Sequence, residues 1–128
     1  MALRAARKAG DLIVRASDDM DRVGYQAKAA ADFVTEVDIA AEKEILYQLG
    51  KAYPEHRFLC EESGLSGNED SDYTWVIDPL DGTSNFLRCI PHYAISIACL
   101  HRGKIEHAVV YDPVREEEFI ASRGRGAQ

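Results

Sequence analysis

Trp75-Val76-Ile77-Asp78-Pro79-Leu80-Asp81-Gly82-Thr83-Ser84-Asn85-Phe86 is an apolar run that breaks abruptly into two carboxylates, a glycine and two hydroxyls. Val76 and Ile77 suit a buried strand, whereas Pro79 has no N–H for a sheet ladder and interrupts regular pairing just after Asp78. The two acids therefore ride on a bend. Only three positions separate Asp78 from Asp81, so a turn can aim both carboxylates at one point. That arrangement suits a hard divalent cation and is otherwise opposed by like-charge repulsion. Gly82 permits close approach of the backbone to a ligand. Thr83, Ser84 and Asn85 can cap a short helix, whose free N–H groups would face an anion such as phosphate. Taken singly, Asp-Gly and Asp-Pro are ordinary turn dipeptides and would mark only a surface loop.

Upstream, Arg57 to Cys60 reads as a short strand that ends in Glu61-Glu62-Ser63, with a Gly- and acid-rich loop following through Asp72. Consecutive acids are usually just solvated, but this strand end brings Glu61 to the level of Asp78, where sites are commonly built. Asp32-Phe33-Val34-Thr35-Glu36-Val37-Asp38 introduces a helix: Thr35 with Asp38 resembles a capping box with a shorter acid. Val37, Ala41, Ile45 and Leu49 then mark its buried stripe, closed by Gly50 and Pro54. On this evidence alone Asp38 reads equally well as a helix cap favoured by the dipole. Nearer the start, Leu3, Ala6, Gly10, Ile13 and Ala16 recur at helical spacing, opposite Arg4, Lys8, Asp11 and Arg15, which predicts a first helix to about Ser17. Residues 18–31 read as a mobile loop.

Downstream, strands are expected over Tyr93 to Leu100, Ile105 to Tyr111 and Glu118 to Ser122, joined by turns at Arg102-Gly103-Lys104 and Asp112-Pro113. His92, His101 and His107 lack metal-ligand spacing and are assigned structural or surface places. The predicted class is α+β: two helices packed on an antiparallel sheet, with acids gathered at strand ends and residues 1–128 forming one domain.

With 128 residues, 46% hydrophobic and 29% charged, the chain can bury one core, and no apolar run is long enough for a transmembrane helix. The N-terminus lacks signal-peptide order, so a cytoplasmic setting is expected. Cys60, Cys89 and Cys99 are odd in number and contain no Cys-x-x-Cys pair, which argues for reduced, partly buried thiols and against disulfides or zinc. The net charge of −7 repels nucleic-acid backbones and phosphorylated metabolites unless bound divalent metal reverses the field. Arg4, Arg7 and Lys8 read as a solvated helix face. Direct nucleic-acid binding is not expected.

The Asp-Pro-Leu-Asp-Gly-Thr-Ser-Asn-Phe segment after an apolar strand resembles the signature of the inositol monophosphatase family, and the Asp32–Asp38 and Cys60–Ser63 segments match two further family segments in order. This resemblance implies the N-terminal half of an inositol monophosphatase/fructose-1,6-bisphosphatase-like layered sandwich. It also implies magnesium-dependent, lithium-sensitive hydrolysis of a phosphate monoester, most readily inositol monophosphate, with two or three Mg²⁺ ions. Glu61, Asp78, the Leu80 carbonyl and Asp81 would then be metal ligands, and Asp38 with Thr83 would orient the attacking water. Glu61, Leu80, Asp81, Gly82 and Thr83 would meet the substrate. Cys60 stands where relatives often carry Gly or Thr, and a thiol beside a metal ligand suggests sensitivity to oxidation. Relatives continue for a comparable length, with a further metal-binding Asp and most substrate contacts, so residues 1–128 alone are expected to have little activity. The resemblance further implies a homodimer in the full-length protein. Bacterial relatives associated with transcription and RNA processing leave open a regulatory, partner-binding role.

Overall fold

The protein is described from a computed structural model, with the backbone given for residues 1–23, 27–88, 90–124 and 126–127 and side chains for 1–18, 34–86, 88 and 90–124. Ala5, Ala6, Ala9, Ile13 and Ala16 form the buried face of α1 (Ala2–Val23). Small residues on this face let the helix lie close to the sheet. Gly10 shows how close: a Cβ there would stand 2.7 Å from the Tyr111 ring and 3.0 Å from Pro113.

The first helix runs past Ser17 to Val23, and α2 (Ala27–Ala52) begins well before Asp32. The two extensions differ in cause. Ala27-Lys28-Ala29-Ala30-Ala31 are strong helix formers, so propensity carries α2 where apolar periodicity is absent, whereas residues 18–23 are rich in Asp and continue α1 with no Gly or Pro to stop it. Within the expected loop, residues 18–23 and 27–31 are helical, and residues 24–26 lie outside the described set. Thr35 consequently falls inside α2 rather than at its N-terminus. The stripe itself is as expected: Val37, Ala41, Ile45 and Leu49 are buried, joined by Val34.

The strands are β1 (Arg57–Cys60), β2 (Gly64–Gly67), β3 (Tyr73–Asp81), β4 (Ala94–His101), β5 (Lys104–Asp112), β6 (Glu117–Ser122) and β7 (Gly126–Ala127), with a short α3 (Thr83–Leu87) after β3. Their order across the sheet is β2-β1-β3-β4-β5-β6-β7. All neighbours are antiparallel except β1 and β3, which run parallel. The sheet is therefore mixed rather than antiparallel throughout. Part of the anticipated acidic loop is the cause: β2 folds back on the outer edge of β1 and returns the chain to the starting end, so β3 must enter in the same sense as β1. Pro79 acts as expected, since the β3–β4 register shifts between Asp78 and Asp81.

One sheet face carries Phe58, Cys60, Trp75, Ile77, Ile95, Ile97, Cys99, Val109 and Tyr111, all buried beneath the helices. α1 lies over β4 and β5, and α2 over β3. Arg7 reaches across from α1, donating through Nε to Glu118 of β6 at 2.7 Å, so it is an inter-element tie as well as a solvated cation. At the end where β3 starts, the Tyr53, His56, Tyr73 and His101 rings stack in succession with centroids 4.9, 4.8 and 4.6 Å apart. Trp75 Nε1 donates to His56 Nδ1 at 3.0 Å.

The opposite sheet face follows the register Leu59, Val76, Ala98, Ala108, Ala121 across five strands. It carries no helix among the described residues, and Leu59, Val76, Val110 and Phe119 are exposed on it.

Candidate functional site

Parallel pairing of β1 with β3 sets Cys60 beside Ile77, so the next residues, Glu61 and Asp78, emerge side by side at the strand ends. The Glu61 N–H donates to the Ile77 carbonyl at 3.3 Å, extending the ladder to the first acid. The Glu61 side chain stands close enough to Asp78 to bear on its protonation. Burial raises the Asp78 carboxyl to about 6; the Glu61 hydrogen bond, the Glu61 charge and the Asp81 charge add to it, while the Leu80 N–H opposes it. That N–H donates to Asp78 Oδ1 at 3.3 Å.

Asp38 comes from α2, 8% exposed on the helix face turned toward the sheet. Burial is the first cause that lifts its carboxyl to about 7, followed by the charges of Glu62, Glu61, Asp78 and Glu42. Among the described residues, no cationic side chain contributes to either balance. Three separate elements thus deliver acids to one end of the sheet.

Asp81 is exposed at the last position of β3 and reaches Asp78 through charge alone. The Leu80 carbonyl accepts from Thr83 Oγ1 at 3.0 Å, and no hydrogen bond joins Thr83 to Asp38. Among the described residues, no three His, Cys, Asp or Glu side chains stand close enough together to hold a metal ion. Gly82, at φ 99°, is the N-cap of α3, with no side-chain capping bond, so Thr83, Ser84 and Asn85 do not cap that helix. The close approach at Gly82 is made by protein: a Cβ there would meet the His92 carbonyl at 3.0 Å and Tyr93 Cα at 3.2 Å. Asn85 instead donates through Nδ2 to that same carbonyl at 2.8 Å, tying α3 to the entry of β4.

Cys60 is buried on the helix-covered face beside Ser63 and Glu42; burial first, and then the Glu42 carboxylate, push its thiol up to about 11, against the pull of Ser63. A buried, protonated thiol is a poor nucleophile, which removes the expected sensitivity to oxidation. Cys99 is likewise buried and free; Cys89 lies outside the described residues. His107 Nδ1 is 3.1 Å from Ser122 Oγ, and His101 stacks on Tyr73, away from the acids.

Glu42 escaped the sequence reading. It is 2% exposed on α2, where its carboxylate accepts from the backbone N–H groups of Glu62 and Ser63, each at 3.0 Å, and from the Ser63 hydroxyl. A signal was present: Glu42 follows Asp38 by one helical turn and adjoins Ala41 on the buried stripe, an improbable place for an acid without partners.

The sequence profile of the inositol monophosphatase family matches residues 1–128. The chain belongs to the inositol monophosphatase family. It is 57% identical over 129 residues to the Nus factor SuhB of Pseudomonas aeruginosa, covering 99% of this chain and 48% of that protein. Among solved structures it is similar to the extragenic suppressor protein suhB of Bartonella henselae, with TM-score 0.87 and 42% identity over 99% of this chain and 48% of that one. The inositol monophosphatase of Anabaena superposes with TM-score 0.80 at 37% identity, covering 99% of this chain and 44% of that one. The chain thus spans about half the length of the relatives it matches. Family membership implies magnesium, and by their chemistry the carboxylates of Glu61, Asp78 and Asp81 and the Leu80 carbonyl are hard oxygen donors of the kind such an ion takes. The Cys60 and Cys99 thiols are buried and raised to about 11, so neither supplies a soft thiolate.

Proposed function

We propose that the full-length protein hydrolyses a phosphate monoester, most readily inositol monophosphate, with Mg²⁺ held at the ends of β1 and β3. The observation that carries this reading is the parallel pairing that sets Glu61 and Asp78 side by side at the strand ends with Asp38 behind them, a concentration of negative charge with no cationic partner among the described residues. Glu61, Asp78, Asp81 and the Leu80 carbonyl are assigned as ligands. When bound, magnesium would lower the pKa of a coordinated water and offset charge on the phosphate oxygens. Asp38 would accept a proton from the attacking water, with its orientation fixed by burial in α2. Thr83, released from the Leu80 carbonyl by a short rotation of its side chain, would hold that water in line. Glu61, Leu80, Asp81, Gly82 and Thr83 are the substrate-contacting positions on this half.

The test is phosphate release from inositol monophosphate by the chain extended to its relatives' length, with and without Mg²⁺. Asp81→Asn should lower magnesium-dependent turnover at least about 100-fold, as expected when an interaction made to the reacting group is lost. Unchanged turnover would remove Asp81 from the site.

A second reading is favoured by the name of the Pseudomonas relative, a Nus factor: partner binding to the transcription machinery, with hydrolysis incidental. A variant lacking Asp78 and Asp81 carboxylates that keeps its cellular effect would select this reading; loss of both functions would select catalysis. The full-length protein is further proposed to be a cytoplasmic homodimer.

A further inference from the structure

We infer that Glu42 is a positioning residue for the ion site: it fixes the turn that presents Glu61, and this role rests on the metal reading proposed above. Glu61 is the first residue beyond β1, and its own N–H is satisfied by the Ile77 carbonyl. The next two N–H groups, of Glu62 and Ser63, have left the ladder and would lack an acceptor at the start of the turn. Glu42 supplies one. Its Oε2 takes the Glu62 N–H and its Oε1 takes both the N–H and the hydroxyl of Ser63. Glu61 is therefore anchored on both sides, by β3 before it and by α2 after it.

The chemistry demands an acid. A carboxylate offers acceptors on both oxygens and no donor. A glutamine of the same shape has one oxygen and one NH₂, so one of the two backbone N–H groups would face another donor. Burying an acid on the inward face of a helix is costly unless every lone pair has work to do, and here three protein donors converge on it. Asp38 lies one turn earlier on the same helix, so a single rigid element sets both the Asp38 carboxylate and the turn carrying Glu61. Rotation or fraying of that turn would part Glu61 from Asp78.

Mn²⁺ is the probe, titrated against the chain extended to its relatives' length while its free aqueous signal is followed by electron paramagnetic resonance. Glu42→Gln should weaken Mn²⁺ binding about 10- to 100-fold, the usual cost of losing an outer-shell support. Amide hydrogen exchange at Glu62 and Ser63 should quicken in the same variant without metal. Ser63→Ala removes one donor of the three and should weaken binding about 5-fold. If Glu42→Gln folds and binds Mn²⁺ as the unaltered protein does, the positioning role is overturned and the metal reading survives. If Glu42→Gln does not fold, Ser63→Ala decides, with unchanged affinity overturning the inference. Failure of the unaltered protein to take up Mn²⁺ would instead overturn the metal reading itself, and this inference with it.

Discussion

Asp38 shows what a single buried acid does to the pH response of the fold. Its carboxyl lies near 3.8 when free and is raised to about 7 in the structure, first by burial and then by four neighbouring acids. The folded chain therefore binds more protons than the unfolded one between those values. The stabilising contribution is complete below the free value and is lost as pH rises through about 7. In chelator, Asp38→Asn should stabilise the protein relative to the unaltered chain at pH 8, on the order of 2 kcal/mol, and the advantage should shrink toward zero at pH 4. Thermal melts at the two pH values check this; an advantage independent of pH would mean that the charge is not what strains the site. The thiols give a second residue-scale expectation. Burial raises Cys60 and Cys99 to about 11 each, so iodoacetamide at pH 8 should leave both unmodified in the native protein and label both in denaturant, read by peptide mass. Labelling of native Cys60 would show that its thiol is not sealed beneath the helices. At this scale Glu61 and Asp78 were legible because each follows an apolar strand directly. For Glu42 the buried stripe marked the position but not the role, because its partners are the backbone N–H groups and a hydroxyl of a turn about twenty residues away, which periodicity does not reveal.

Helices and strands were legible where one physical signal dominated. The buried stripe of α2 and the strand of Val76 and Ile77 follow from periodicity, and Pro79 ends regular pairing because it has no N–H. Helix limits were not legible from the same signal, since 27–31 are helical by Ala-rich propensity and 18–23 continue α1 without an apolar stripe. β2 was missed because Gly64-Leu65-Ser66-Gly67 is a poor strand by composition and forms only against the edge of β1. The docking of α1 offers a test at the same scale. Ala in place of Gly10 would gain up to about 1 kcal/mol of helix propensity, but its Cβ would press on the buried Tyr111 ring and on Pro113. Overpacking of this kind costs about 1–3 kcal/mol, so Gly10→Ala should lower stability by about 1 kcal/mol in a denaturant titration. A stabilised variant would show that α1 can lift from β5 without loss.

For the whole molecule, the decisive asymmetry lies between the two sheet faces. One is sealed by α1 and α2; the other presents Leu59, Val76, Val110 and Phe119 to solvent, with Phe119 52% exposed. Small residues, Ala98, Ala108 and Ala121, lie between them in register, giving a low apolar surface across five strands. Nothing in the apolar periodicity distinguishes these faces, since Val76 and Ile77 are equally good strand residues and only the placement of the helices decides which is covered. A patch of this kind drives association, whereas a net charge of −7 opposes it. Charge repulsion is screened over about 8 Å at physiological salt, but apolar burial is not. Residues 1–128 should therefore associate reversibly at roughly 10–100 µM, more strongly as salt is raised, with a mass that climbs with concentration in sedimentation equilibrium. Val110→Lys combined with Phe119→Lys should return the monomer, because both positions are solvent-exposed on neighbouring strands and tolerate charge without disturbing the sealed core. An unaltered chain that stays monomeric across that range, or a double variant that associates equally well, would show that the open face is not the adhesive one.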